Sequence, residues 1–357
     1  MQVLLDKTLN IISIQGNGLL IHSTCLYPFY SPDSNKVAFW VQDYDYQNDV
    51  YLSSYQLYYK NFFTNELVKI NTGNGSCPLP QNNSTNEKIF NASFSPDGEN
   101  ILFLTTSTNL IQNDLELTSK EPNGNRWYVY NIVNKSFIRV SSNNLVYGND
   151  VDANEALWYD NDSVVFVTLS NNLVSGINQN THYEVYMKKL SNGSISHISR
   201  KENSNPYPFF TTTCNNIAVA PNIVSFYSYE LGFVIKNINT NTLTRVQELS
   251  GIISYGIVTP EALIWSSDGS KMLFRITSGT TITVDTNNYT DDFVYDFNTN
   301  TIIPLNENSG ETVYGNGYSK HASFSPDGKM VAFISNSYNI DPTSTNPIDN
   351  LYFKNLD

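Results

Sequence analysis

A chain of 357 residues with a formal net charge of −13 argues against a nucleic-acid partner, because that binding rests on Lys and Arg, here 20 against 33 Asp and Glu. No apolar run approaches the length of a membrane span. The three cysteines, Cys25, Cys77 and Cys214, lack metal-ligand spacing and imply no disulfide framework, so they read as buried free thiols.

The predicted elements repeat. In the first unit Tyr30-Ser31-Pro32-Asp33 precedes Val37-Ala38-Phe39. In the second, Phe94-Ser95-Pro96-Asp97-Gly98 precedes Ile101-Leu102-Phe103, with further strands over 126–130 and 136–140. The third is degenerate: Leu157-Trp158-Tyr159, the turn Asp160-Asn161-Asp162, then Val164-Val165-Phe166. The fourth starts at Val219-Ala220-Pro221-Asn222 and continues over 223–226, 232–235 and 243–246. The fifth has Trp265-Ser266-Ser267-Asp268-Gly269 before Met272-Leu273-Phe274, then strands over 292–296 and 301–305. The sixth has Phe324-Ser325-Pro326-Asp327-Gly328 before Met330-Val331-Ala332-Phe333 and a third strand over 351–354. Proline presets φ at the first central turn position, aspartate bonds back to the backbone, and glycine accepts positive φ. The flanking aromatic and branched residues favour strands. Four antiparallel strands per unit predict one propeller blade each.

The turn positions 32, 96, 160, 221, 267 and 326 are separated by 46 to 64 residues, and the wrap-around step of 63 matches them. The expected fold is therefore all-β, a single six-bladed β-propeller with blades over about 18–80, 81–143, 144–203, 204–250, 251–310 and 311–357. The strand-like segment within 8–15 is expected to complete the last blade and close the ring. Phe94–Gly98 and Phe324–Gly328 resemble the TolB-type Pro-Asp-Gly propeller repeat, as do Tyr30–Asp33 and Trp265–Gly269 more loosely. That resemblance implies fold but no single activity, since the family spans periplasmic protein-binding propellers, peptidase-gating domains and carbohydrate-active enzymes.

Aligning the six hairpins places Tyr27, Asn91, Glu155, Asn216, Glu261 and His321 at one position near the start of each first strand. They are the candidate ligand-binding set, for a small polar molecule or a cation. Asp150, Asp152 and Asn154 alternate like the oxygen ligands of a calcium loop, although Glu155 replaces the glycine of its sharp turn, so a structural Ca²⁺ is the candidate cofactor. The turn aspartates Asp33, Asp97, Asp268 and Asp327 read as turn caps. Tyr44, Tyr46, Tyr51, Tyr55, Tyr58 and Tyr59 crowd a predicted insertion between the second and third strands of the first blade. Further insertions over 106–125, 170–182 and 278–291 share that place in their blades. No Gly-x-Ser-x-Gly nucleophile elbow and no phosphate-cradling loop occurs.

The function expected is non-enzymatic recognition of a protein partner, or of a surface glycan, by a monomer through one loop face and the channel mouth. Its rivals are a small hydrolytic or carbohydrate-active enzyme using the polar ring, and a structural module of a larger surface or virion protein. The Asn-, Ser-, Thr- and Tyr-rich surface resembles exported proteins, while the first residues lack the basic and apolar regions of a signal peptide.

Overall fold

The computed structural model describes residues 24–45, 48, 50–71, 92–107, 110–111, 125–142, 148, 152–175, 182–200, 213–246, 249, 258–276, 287, 289–307, 314–341 and 346–356. Among them the regular elements are strands, grouped in six antiparallel sheets with sequential neighbours paired. This is the all-β, six-bladed propeller architecture that the repeat predicts. The chain clusters into two compact units, residues 1–81 with 90–154, and 82–89 with 155–357.

The first unit holds two blades. Blade 1 runs β1 (Thr24–Tyr30), β2 (Lys36–Asp45), β3 (Val50–Asn61) and β4 (Leu67–Lys69). Blade 2 runs β5 (Ala92–Phe94), β6 (Asn100–Thr105), β7 (Arg126–Asn131) and β8 (Ser136–Arg139). Alternate residues of facing strands fill the space between the sheets. Trp40, Leu57 and Tyr59 meet Phe94, Ile101, Phe103, Tyr128 and Tyr130 in one buried cluster. Burying each such side chain is worth roughly 1.5–3 kcal/mol.

The second unit holds four blades. Blade 3 is β9 (Asp152–Trp158), β10 (Ser163–Thr168), β11 (Glu184–Lys189) and β12 (Ile195–His197). Blade 4 is β13 (Cys214–Ala220), β14 (Ile223–Ser228), β15 (Gly232–Asn237) and β16 (Leu243–Arg245). Blade 5 is β17 (Val258–Trp265), β18 (Lys271–Ile276), β19 (Asp291–Asp296) and β20 (Thr301–Pro304). Blade 6 has three described strands, β21 (Ser319–Phe324), β22 (Met330–Ser335) and β23 (Asn350–Asn355). Segment 8–15, expected to complete it, lies outside the described residues. Blades 4 and 5 share a core around Phe233, Trp265, Met272 and Phe293, and blades 5 and 6 one around Leu273, Val294, Val331 and Phe333. Trp265 Nε1 donates to Ser225 Oγ at 2.9 Å, which satisfies the indole across the blade 4–5 interface.

The Ser-x-Asp turns are built alike in four blades. The serine hydroxyl donates to the aspartate carboxylate at 2.5–2.7 Å in Ser31–Asp33, Ser95–Asp97, Ser266–Asp268 and Ser325–Asp327. That carboxylate also accepts the backbone N–H of the residue two positions on, at 3.0–3.1 Å. These bonds hold Asp33 and Asp268 ionised down to about 2. The glycine closing the turn has a second reason to be glycine. Gly269 and Gly328 have φ near +70°, and a Cβ there would come within 3.2–3.3 Å of the preceding blade's turn, at Ala220 and Pro221 and at Ser266. Gly98 meets Ser31 in the same way, at 3.3 Å.

Two expectations are corrected. Tyr51, Tyr55, Tyr58 and Tyr59 belong to the long strand β3 and Tyr44 to β2, so most of the tyrosine run is sheet rather than insertion. Tyr59 is fully buried. Tyr46 lies outside the described residues. Cys214 is buried as expected, Cys25 is exposed because it lies near the start of β1, and Cys77 lies outside the described residues.

Candidate functional site

The first strand of four blades is kinked at one place. Pairing slips between Leu26 and Phe29 in β1, Asn215 and Ala218 in β13, Thr259 and Ile264 in β17, and Lys320 and Ser323 in β21. In β1, β13 and β21 the slip is one extra residue, a β-bulge, which re-aims the side chains it carries; in β17 it is three residues. Tyr27, Asn216 and His321, three of the six aligned candidates, occupy these bulges in the left-handed region, with φ of 48°, 52° and 55°. Glu261 falls within the β17 slip. Asn91 lies outside the described residues. A left-handed backbone at tyrosine or histidine costs on the order of 1–3 kcal/mol. It persists only where the surroundings impose it. Tyr27 and His321 are exposed and Asn216 is half-buried.

In the second unit, carboxylates from the preceding blade supply that constraint. Glu155 in β9 accepts the backbone N–H groups of Asn216 and Ile217, the latter at 3.2 Å. Two of the aligned candidates are thus brought together directly, one gripping the backbone of the other. Asp292 in β19 accepts the N–H of Ala322, next to His321, at 3.3 Å. Asp292 is itself held by Arg275 at 2.7 Å (Nε to Oδ1) and 3.2 Å (Nη2 to Oδ2).

Burial raises the pKa of Glu155, against the opposing pull of its two N–H donors. The unfolded chain then ionises first as pH rises past the ordinary value of 4.5. The stability contributed by this group is full below that value and falls as pH rises, until the folded carboxyl ionises too. Glu155→Gln should remove this fall. Urea melts from pH 4 to pH 7 should show the variant gaining on the natural protein as pH rises; parallel curves would mean that the carboxyl is not desolvated.

Antiparallel order puts the start of each first strand at the same end of its sheet as the connection from second to third strand. Three successive blades carry an exposed tyrosine on that connection: Tyr229 (66%) in blade 4, Tyr289 (48%) in blade 5 and Tyr338 (46%) in blade 6. In blade 6 the same end bears Lys320, paired with Asp349 at 2.9 Å and with the Tyr318 hydroxyl at 3.1 Å; that hydroxyl also bonds Asp349. Of these three connections sequence reading placed only that of blade 5, within 278–291, and it singled out none of the three tyrosines; in blades 5 and 6 the signal was an aromatic residue inside a connection otherwise rich in Asn, Ser and Thr.

Of the candidate calcium ligands, Asp152 and Asn154 belong to strand β9 and Asp150 lies outside the described residues. Among the described residues no group of three His, Cys, Asp or Glu side chains is arranged to hold a metal ion. Blade 3 contains Ser199, His197 and Glu184, yet both the serine hydroxyl (3.2 Å) and the glutamate (3.3 Å) meet the same His197 Nε2. A proton relay needs its two partners on opposite ring nitrogens. This buried cluster is a structural tie between β11 and the end of β12.

No family model matches the chain, and no curated protein matches it. It is similar to several solved structures at low identity. An oligogalacturonate lyase in complex with manganese is 12% identical, with a TM-score of 0.48 over 92% of this chain and 73% of that one. The acylaminoacyl peptidase of Pyrococcus horikoshii is 10% identical, with a TM-score of 0.48 over 93% of this chain and 44% of that one. The β-propeller domain of the Trilobed protease from Pyrococcus furiosus is 9% identical, with a TM-score of 0.40 over 94% and 95%.

Proposed function

We propose that this chain is a TolB-type propeller acting as a non-enzymatic binding platform for a protein partner, which it engages at the end of the sheets carrying the bulges and the second-to-third-strand connections. The observation that carries this reading is the set of exposed tyrosines, Tyr229, Tyr289 and Tyr338, repeated over three successive blades. Tyrosine supplies a large, stiff contact area with a polar tip, and Ser, Asn and Gly around it supply adaptable hydrogen bonds. Such aromatic residues dominate the energetics of recognition surfaces. Anchors spread over three blades suit a macromolecule. The cavity beside Asp291 and Tyr314, by contrast, has room for about 10 Å³.

The test begins with a photo-crosslinking amino acid at position 338 to identify the bound partner. The affinity of that partner is then measured for the combined Tyr229→Ser, Tyr289→Ser, Tyr338→Ser variant. Exposed substitutions of this kind change stability by under about 0.5 kcal/mol each, so the variant should stay folded. Affinity should fall at least about 30-fold if two of the three are anchors worth over 1 kcal/mol each. Unchanged affinity would sink the assignment of this face, and a partner released by glycosidase treatment would identify the ligand as its glycan.

A further inference from the structure

A second site lies between blades 5 and 6, at the end of blade 5 that also bears Tyr289. Asp291 opens β19 and is 3% exposed. Its Oδ1 accepts from Ser319 Oγ at 3.0 Å and from Asn306 Nδ2 at 3.2 Å, while its Oδ2 faces Asn287 Nδ2 at 2.9 Å. The same Asn287 nitrogen lies 2.7 Å from the carbonyl oxygen of Gly315 and 3.1 Å from that of Gly317. The Gly317 oxygen also meets Asn306 Nδ2 at 2.6 Å.

An amide nitrogen has two protons. Three oxygens from three residues nevertheless converge on the Asn287 nitrogen, one of them from a buried carboxylate. Both carbonyls come this close because their residues are glycines: a Cβ at Gly315 would lie 2.2 Å from Asn306, and one at Gly317 2.2 Å from Asn336. Beside the cluster is a cavity of about 10 Å³, lined among others by Asn287, Asp291, Asn306 and Tyr314, which is room for one water. One carboxylate, two backbone carbonyls, an amide that can present its oxygen and a water position make a hard-ligand set.

We infer that Asp291, Gly315, Gly317 and Asn287 bind a hard, oxygen-seeking cation at the point where the Asn287 nitrogen lies. The Asn287 side chain swings off that point and turns Oδ1, which here accepts the Tyr289 N–H at 2.7 Å, toward the ion, and the cavity holds a completing water. The ion ties the start of β19 to the loop that leads into β21, and so braces the segment carrying Tyr318, Lys320 and His321. Calcium takes 6–8 oxygens at 2.3–2.6 Å, so the oxygens would close in by a few tenths of an ångström on binding.

The test uses the full chain stripped with EDTA and melted in Ca²⁺, Mg²⁺, K⁺ or Na⁺. At a hundredfold excess over the dissociation constant, one ion should raise Tm by about 5 °C. Asp291→Asn should abolish that rise, while Asp349→Asn, an exposed carboxylate outside the cluster, should keep it. Tb³⁺ replacing Ca²⁺ should emit when Tyr314 is excited, and Tyr314→Phe should quench most of that emission. Should Asp291→Asn fail to fold, the Tyr314→Phe result decides. No rise with any ion, a rise that survives Asp291→Asn, or undiminished Tb³⁺ emission from Tyr314→Phe would overturn the site.

Discussion

Asp292→Ala should destabilise the protein by about 3–5 kcal/mol, the cost of stranding a buried charge. Asp292 is fully buried, Arg275 is 7% exposed, and the two meet through a two-point contact directly across the β18–β19 ladder. Alanine would take from the guanidinium the carboxylate it meets at two points and also release the Ala322 N–H that Asp292 accepts. Urea unfolding should therefore show a much lower midpoint. Hydrogen exchange at Ala322 should accelerate beyond the general rise, because the bulge at His321 loses its clasp. The double variant Asp292→Leu, Arg275→Met should recover most of the loss, since replacing both partners of a buried pair by apolar groups is often neutral or better. A double variant as unstable as the single one would show that the cost lies in packing rather than charge.

Trp40→Ala should cost about 3–5 kcal/mol, and Trp40→Phe far less. Trp40 is fully buried in the blade 1–2 cluster, 5.3 Å from the ring of Phe29. Among the described residues its Nε1 has no hydrogen-bond partner. An unsatisfied buried donor costs about 1–3 kcal/mol, so phenylalanine removes volume and a penalty together. Trp265 supplies the contrast, because its Nε1 is satisfied by Ser225. Trp265→Phe would remove the donor that this hydroxyl accepts, while its own bond to the Ala218 carbonyl at 3.3 Å remains, and thermal melts should rank it as the costlier of the two phenylalanine substitutions. Equal costs would mean that the Trp40 indole is satisfied in solution by water.

Much of the architecture was legible because the Ser-Pro-Asp-Gly chemistry is local. Proline, aspartate and glycine each answer a demand of the turn itself, and the hydroxyl–carboxylate bond of Ser266 and Asp268 joins residues two apart. The candidate position was legible as an alignment slot for Tyr27, Asn216 and His321. Its left-handed backbone was not, because a bulge arises from how two strands pair rather than from the residue that occupies it. Nothing marks Asp292 among its acidic neighbours as the partner of Arg275, since only the register of β18 on β19 brings them together. The tyrosines of blade 1 were misread as an insertion because their crowding hid the strand period, whereas β2 and β3 run for 10 and 12 residues and carry most of them.

The close fit of each turn glycine against the turn before it also defines what can be exchanged between repeats. Gly328 has its nearest neighbour at Ser266, and Gly269 at Ala220 and Pro221, so each junction belongs jointly to two repeats. A blade grafted whole between propellers would arrive with half of each junction, and its turn would meet a stranger's side chain at van der Waals distance. A segment of one repeat carries a single turn wherever it is cut, so the smallest segment that keeps a junction intact runs from one turn through the next. Substitutions in successive turns should for the same reason be epistatic.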